Sequence, residues 1–181
     1  MLACNALRED AISRLFALKG REANKPIHVA LAQFSAAADY VQINEASEKV
    51  AQAFLPGPVT IVLPKTQNIS DTLVAGTGYL GIRIVDNPIT QLICTALGVP
   101  LTATSLNLSG EAPAQTIVDT VRSLNWRDPE PIYVVQSDEK RHYDKPSTVV
   151  RFLTGAGQRY EILRQGPISA QDIDAAIHGT L

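Results

Sequence analysis

Cysteine is scarce: Cys4 and Cys94 are the two in 181 residues, far apart, with no CxxC spacing and no His-rich tract. Neither a disulfide framework nor a zinc site is encoded, and two buried thiols in a reducing compartment account for both. No apolar run approaches the roughly 18 residues of a membrane span, and no basic stretch followed by an apolar one opens the chain. A soluble, cytoplasmic protein with no membrane partner is expected. Charge of one sign is lacking too, since 16 Lys and Arg stand against 18 Asp and Glu for a formal net charge of -2. That balance excludes a dedicated nucleic-acid binder and leaves room only for a weak, local RNA contact. P-loop, GxGxxG, HExxH and nucleophile-elbow patterns are all missing. His28, His142 and His178 have no nucleophile pattern beside them, so Ser-His-Asp catalysis is not expected.

What is present is enough apolar residue, 45% of the chain, to bury one substantial core, so residues 1–181 are expected to form one domain. Ala11, Ile12, Leu15, Phe16 and Leu18 recur at helical spacing and predict a helix over 10–19 stopped by Gly20. Apolar or β-branched runs predict strands over 27–32, 59–63, 80–85, 101–104, 132–135, 148–152 and 160–163. Helices are expected over 35–40, 46–54 and 88–97, over 116–124 with Ile117, Val118 and Val121 inward, and from an Ser169 N-cap to about 177. Residues 125–131 and 137–145 read as loops. Several strands lie too close in sequence for crossover helices, which indicates an α/β domain with a twisted, mixed parallel and antiparallel sheet. Nothing ahead of the first helix reads as the strand that most α/β units place there.

Chemistry can be carried at a few places. Lys19-Gly20-Arg21 and Lys25 put three cations just past a helix end, where they could simply offset the helix dipole on a solvated face or could clamp a phosphate or carboxylate. Thr104-Ser105-Leu106-Asn107-Leu108-Ser109-Gly110 follows a buried strand with hydroxyl, amide and turn-forming residues whose N–H groups can face an anion. A plain turn explains the Asn and Gly but does not require both serines. Pro146-Ser147-Thr148 precedes a strand and Arg164-Gln165-Gly166 follows one. Arg83 sits inside an apolar run, so it must reach the surface or meet an anion.

Together and in order, these motifs, with Lys25-Pro26, Pro56-Gly57-Pro58-Val59-Thr60 and Gly81-Ile82-Arg83-Ile84, resemble the YrdC-like threonylcarbamoyl-AMP synthases over residues 2–168. The resemblance implies a twisted mixed sheet flanked by helices around a positive cleft. It also implies synthesis of threonylcarbamoyl-AMP and pyrophosphate from L-threonine, bicarbonate and ATP, with Mg²⁺ on the phosphates. The product would pass to a transferase complex that modifies tRNA. By the same resemblance Lys19, Arg21, Ser105 and Asn107 form the catalytic group. Arg21, Lys25, Ser105, Asn107 and Arg164 contact ATP, and Arg83 and Ser147 hold threonine.

Two departures stand out. Leu106 occupies a position that is usually Ala, and it either narrows the nucleotide pocket or points into the core. The family's opening strand and its Pro-Thr-x-Thr-x-Tyr-Gly-Leu segment, whose second Thr contacts threonine, do not precede residues 2–6. A start site placed too far downstream, a deliberately shortened chain or a degenerate copy would each explain this, and weak or absent synthase activity is expected of such a chain. Two rival readings follow: a carbamoyl-transfer relative, whose acylphosphatase and zinc-finger modules are not visible here, and a non-catalytic RNA-binding or ribosome-associated module. Asn107 and the acidic balance weigh against the second.

Overall fold

A computed structural model describes residues 1–111, 116–124, 131–135, 145–153 and 160–180. Helix α1 (Glu9–Lys19) buries Ile12, Leu15 and Phe16 and ends at Gly20, whose φ of 55° is the left-handed turn that glycine supplies at low cost. Strand β1 (Val29–Ala30) and a 3-10 helix (Phe34–Asp39) follow, then α2 (Glu45–Phe54), opened by a reciprocal Asn44–Ser47 capping box. Strands β2 (Val59–Pro64) and β3 (Tyr79–Arg83) lead to α3 (Pro88–Leu97), which has proline in its first turn and Gly98 as its stop. Strand β4 (Leu101–Thr102), α4 (Ile117–Ser123), β5 (Thr148–Phe152), β6 (Tyr160–Arg164) and α5 (Ala170–His178), with Ser169 as N-cap, complete the order.

The strands form one six-stranded sheet in the order β4-β1-β3-β2-β5-β6. β1–β3 and β2–β5 run parallel, and β1–β4, β2–β3 and β5–β6 antiparallel, the mixed sheet expected. Its main core face packs Val29, Ile61, Leu63, Ile82, Val150 and Phe152 against apolar residues of α1, α2 and α5. On the opposite face α3 covers only the β1–β4 end, where Cys94 meets Ala30, Leu101 and Ala103. The rest of that second face carries the polar residues of the candidate site.

Two expectations need correction. Residues 132–135 are not a strand; Tyr133 is 84% exposed and Val134 and Val135 are exposed as well, so this apolar run, which no strand among the described residues pairs with, stays irregular. Val118 is exposed rather than inward, because α4 presents that turn to solvent; the side chain of Ile117 lies outside the described residues. Ahead of α1 there is no strand; isolated bridges of Leu2 to Thr104 and Asn5 to Leu101 satisfy backbone groups on the outer edge of β4. Apart from Pro131 and Lys145, the loops expected at 125–131 and 137–145 lie outside the described residues, as does His142.

Candidate functional site

Two of the expected motifs are stapled together by one side chain. The αL turn at Gly20 aims the end of α1 at the loop after β4, where Ser109 N donates to Lys19 O (2.8 Å). Lys19 itself is 1% exposed, and its Nζ donates to Ser105 O (2.5 Å) and Asn107 O (2.6 Å). Burial first, and the Arg21 charge second, push its pKa down to about 8. A buried ammonium with two carbonyl partners is tolerable where an unpaired one would not be.

Arg21 points away from that loop and donates to Lys25 O and Pro26 O, each at 2.9 Å. Lys25 pairs with Glu22 (2.7 Å) on the surface. The Asn107 amide nitrogen donates to Leu108 O and Glu111 O, leaving its Oδ1 buried without a partner. Ser105 is exposed at the loop's turn. Leu106 packs against the main core, which decides between the two orientations the sequence left open.

The second cluster lies on the sheet. Gly166 comes so close to residues 146–148 that a side chain there would run into their backbone; this approach brings Arg164 onto Ser147. Arg164 donates from Nε to Ser147 O and from Nη2 to Ser147 Oγ, both at 3.0 Å. Ser147 Oγ in turn lies 2.8 Å from Thr60 Oγ1. Arg83 is half-buried, with a buried Nε that has no partner, and burial and then the charge of Arg164 push its pKa down. The sequence demanded that Arg83 surface or meet an anion, and the fold leaves it part-way.

Thr60 and His28 were missed among the site candidates. Ile27 and Val29 both face the core, so alternation alone puts His28 on the other face. Its pKa is held down at about 3 by burial first, then by Arg83, Arg164 and Arg21 in that order. Those causes tie the two clusters into one positively charged region. The expected residues are therefore gathered at two adjoining places: Lys19 with Ser105 and Asn107, and Arg83 with Ser147 and Arg164, with Arg21 between and Lys25 at the rim. A cavity of about 220 Å³ lined by Leu31, Gln33, Tyr40, Cys94 and Val99 contains none of them.

The chain and its fold are similar to those of known proteins. The Sua5_yciO_yrdC family profile, described as "Telomere recombination", matches residues 1–166. A Methanocaldococcus jannaschii protein is 34% identical over 173 residues, covering 95% of this chain and 77% of its own length. The threonylcarbamoyl-AMP synthase of Vibrio parahaemolyticus is 29% identical over 168 residues, 91% of this chain and 86% of that one. The crystal structure of P. abyssi Sua5 complexed with L-threonine superposes with a TM-score of 0.82 at 26% identity. It spans 97% of this chain, while this chain spans half the length of that protein.

Proposed function

We propose that this chain, which belongs to the Sua5/YciO/YrdC family, is a cytoplasmic threonylcarbamoyl-AMP synthase that joins L-threonine, bicarbonate and ATP and releases pyrophosphate. The observation that carries the reading is the meeting of the Lys19–Arg21 and Ser105–Asn107 motifs, with Lys19 bound to both Ser105 O and Asn107 O, next to the arginines of the sheet. The similarity to a synthase over 86% of its length supports the same reading.

The chemistry needs positive charge and position. A threonyl carbamate must bring an anionic oxygen to the α-phosphorus of ATP, and their mutual repulsion has to be offset before the oxygen–phosphorus bond forms and pyrophosphate leaves. Fixed cations in a poorly hydrated site do this, and no covalent enzyme nucleophile is required. Lys19, Arg21, Ser105 and Asn107 form the central group, Lys19 holding the loop in shape and adding a charge. Arg21, Lys25, Ser105, Asn107 and Arg164 hold ATP, for which Lys25 exchanges Glu22 for phosphate, a cheap exchange because exposed ion pairs are worth about 1 kcal/mol or less. Arg83 and Ser147 hold threonine, and because Arg164 rests on Ser147 the two substrates share a wall. Mg²⁺ enters with the phosphates; among the described residues no cluster of acidic, His or Cys side chains offers it a cage. The adenylate passes to the transferase complex that modifies tRNA.

The test is pyrophosphate release. Release that requires both threonine and bicarbonate, even at a low rate, together with thermal stabilisation by ATP plus threonine, is the expected result. Release indifferent to threonine, or stabilisation by RNA alone, would overturn the proposal.

A further inference from the structure

The second sheet face carries a row of polar side chains that crosses five strands. Val29 lies opposite Ile82 in the parallel pair, and Val62 opposite Gly81 in the antiparallel one. With Val29 and Ile82 in the main core, His28, Gly81 and Thr60 share the other face. Gly81 is required there, because a Cβ on it would stand 2.9 Å from His28 Cβ and 3.1 Å from Thr60 Cγ2. The two side chains close over it, so the row continues from His28 through Thr60 to Ser147 and Arg164. Arg83, two residues after Gly81, projects from the same face.

The members of this row and the cations beside it differ in what they can offer a ligand. Arg83, Arg164, Arg21 and Lys19 can only donate hydrogen bonds. Thr60 and Ser147 are bound to each other, and Ser147 Oγ also accepts from Arg164. The ring nitrogens of His28 have no hydrogen-bond partner among the described residues. Burial and the neighbouring guanidiniums keep that ring neutral, so one of its nitrogens is an acceptor at every physiological pH. A zwitterionic amino acid brings a carboxylate, which suits Arg83 with its unpartnered Nε, and an amino group, which a wall of cations repels. The positive surroundings that keep His28 neutral also favour the unprotonated amine, the form that must attack carbon.

We propose that His28 is the amino-group acceptor of the site, taking a hydrogen bond from the amino nitrogen of the amino-acid substrate while Arg83 takes its carboxylate. This rests on the reading of the chain as a threonine-using synthase and adds to it how the amine is recognised and oriented.

Calorimetric titration of the full chain with L-threonine in the presence of ATP, and with 3-hydroxybutanoate, which is threonine without its amine, tests the assignment. Wild type is expected to bind threonine about tenfold or more tightly than 3-hydroxybutanoate. His28→Leu should lose about tenfold for threonine and less than about twofold for ATP and for 3-hydroxybutanoate, and His28→Gln, which restores an acceptor, should recover most of the loss. Equal losses for both acids, or none in His28→Leu, overturn the role of His28 while leaving the synthase reading standing. If His28→Leu does not fold, wild type binding the two acids equally has the same force. Wild type that binds ATP but no threonine sinks the synthase reading and this assignment with it.

Discussion

The loop around Lys19 and the sheet face around Arg83 are both rich in positive charge, yet they spend their hydrogen-bonding capacity in opposite ways. Lys19 is sealed, with two backbone carbonyls on its ammonium. Arg83 retains a buried Nε without a partner, and among the described residues the His28 ring near it has no hydrogen-bond partner either. A saturated cation holds structure, whereas an unsaturated one stores free energy that a ligand can release. The junction therefore acts as the frame of the site, and the sheet face is where an anion gains most.

The contrast can be broken hardest through the scaffold of the sheet face. Gly166→Ala drives a methyl group into the backbone of residues 146–148 and should cost about 3 kcal/mol or more in urea unfolding. It should also loosen Arg164 from Ser147. A loss below about 1 kcal/mol would mean that the close approach is not tight. Lys19→Met comes next: it leaves Ser105 O and Asn107 O without their donor and should destabilise the fold by roughly 2–3 kcal/mol, besides removing ATP-dependent stabilisation.

Arg83→Gln sharpens the comparison from the other side. It removes an unpaired buried donor and a repulsive charge next to Arg164 and His28, so stability should change by less than about 1 kcal/mol while threonine affinity falls about tenfold or more. A large destabilisation would show that Arg83 is structural, like Lys19.

Acid titration separates the regions more gently. The folded-state pKa of His28 is about 3 against an ordinary 6.5, so between those values the unfolded chain binds a proton that the folded chain refuses. Its contribution therefore makes stability fall as pH drops from 6.5 toward 3. His28→Leu should flatten that limb of a plot of melting temperature against pH, and an unchanged slope would count against the half-buried, cation-flanked ring. Smallest of all, Lys25→Ala should alter unfolding by less than about 0.5 kcal/mol, since its pair with Glu22 is exposed, while weakening ATP binding at higher salt less than at low salt.

Much of this was legible one residue at a time. The helix ends at Gly20 and Gly98, the Ser169 cap and the β-branched run of β2 follow from local rules that tertiary context did not override. The run at 132–135 looked no different from those strands, and failed because nothing in its own residues records whether a partner strand exists. His28 was passed over because it lacked a nucleophile beside it in sequence, although the alternation of Ile27 and Val29 already assigned its face. Thr60 was hidden inside an apolar strand, where a hydroxyl is unremarked until a second one is set against it.

By itself, then, the chain determined most of its elements, its mixed sheet and the short motifs whose order marks the family, since propensity, caps and period act within a few residues. Only the tertiary structure decided which cation is satisfied and which is not. Lys19 and Ser105 are 86 positions apart, and whether a charge is sealed or left waiting depends on what the fold carries to it across that distance.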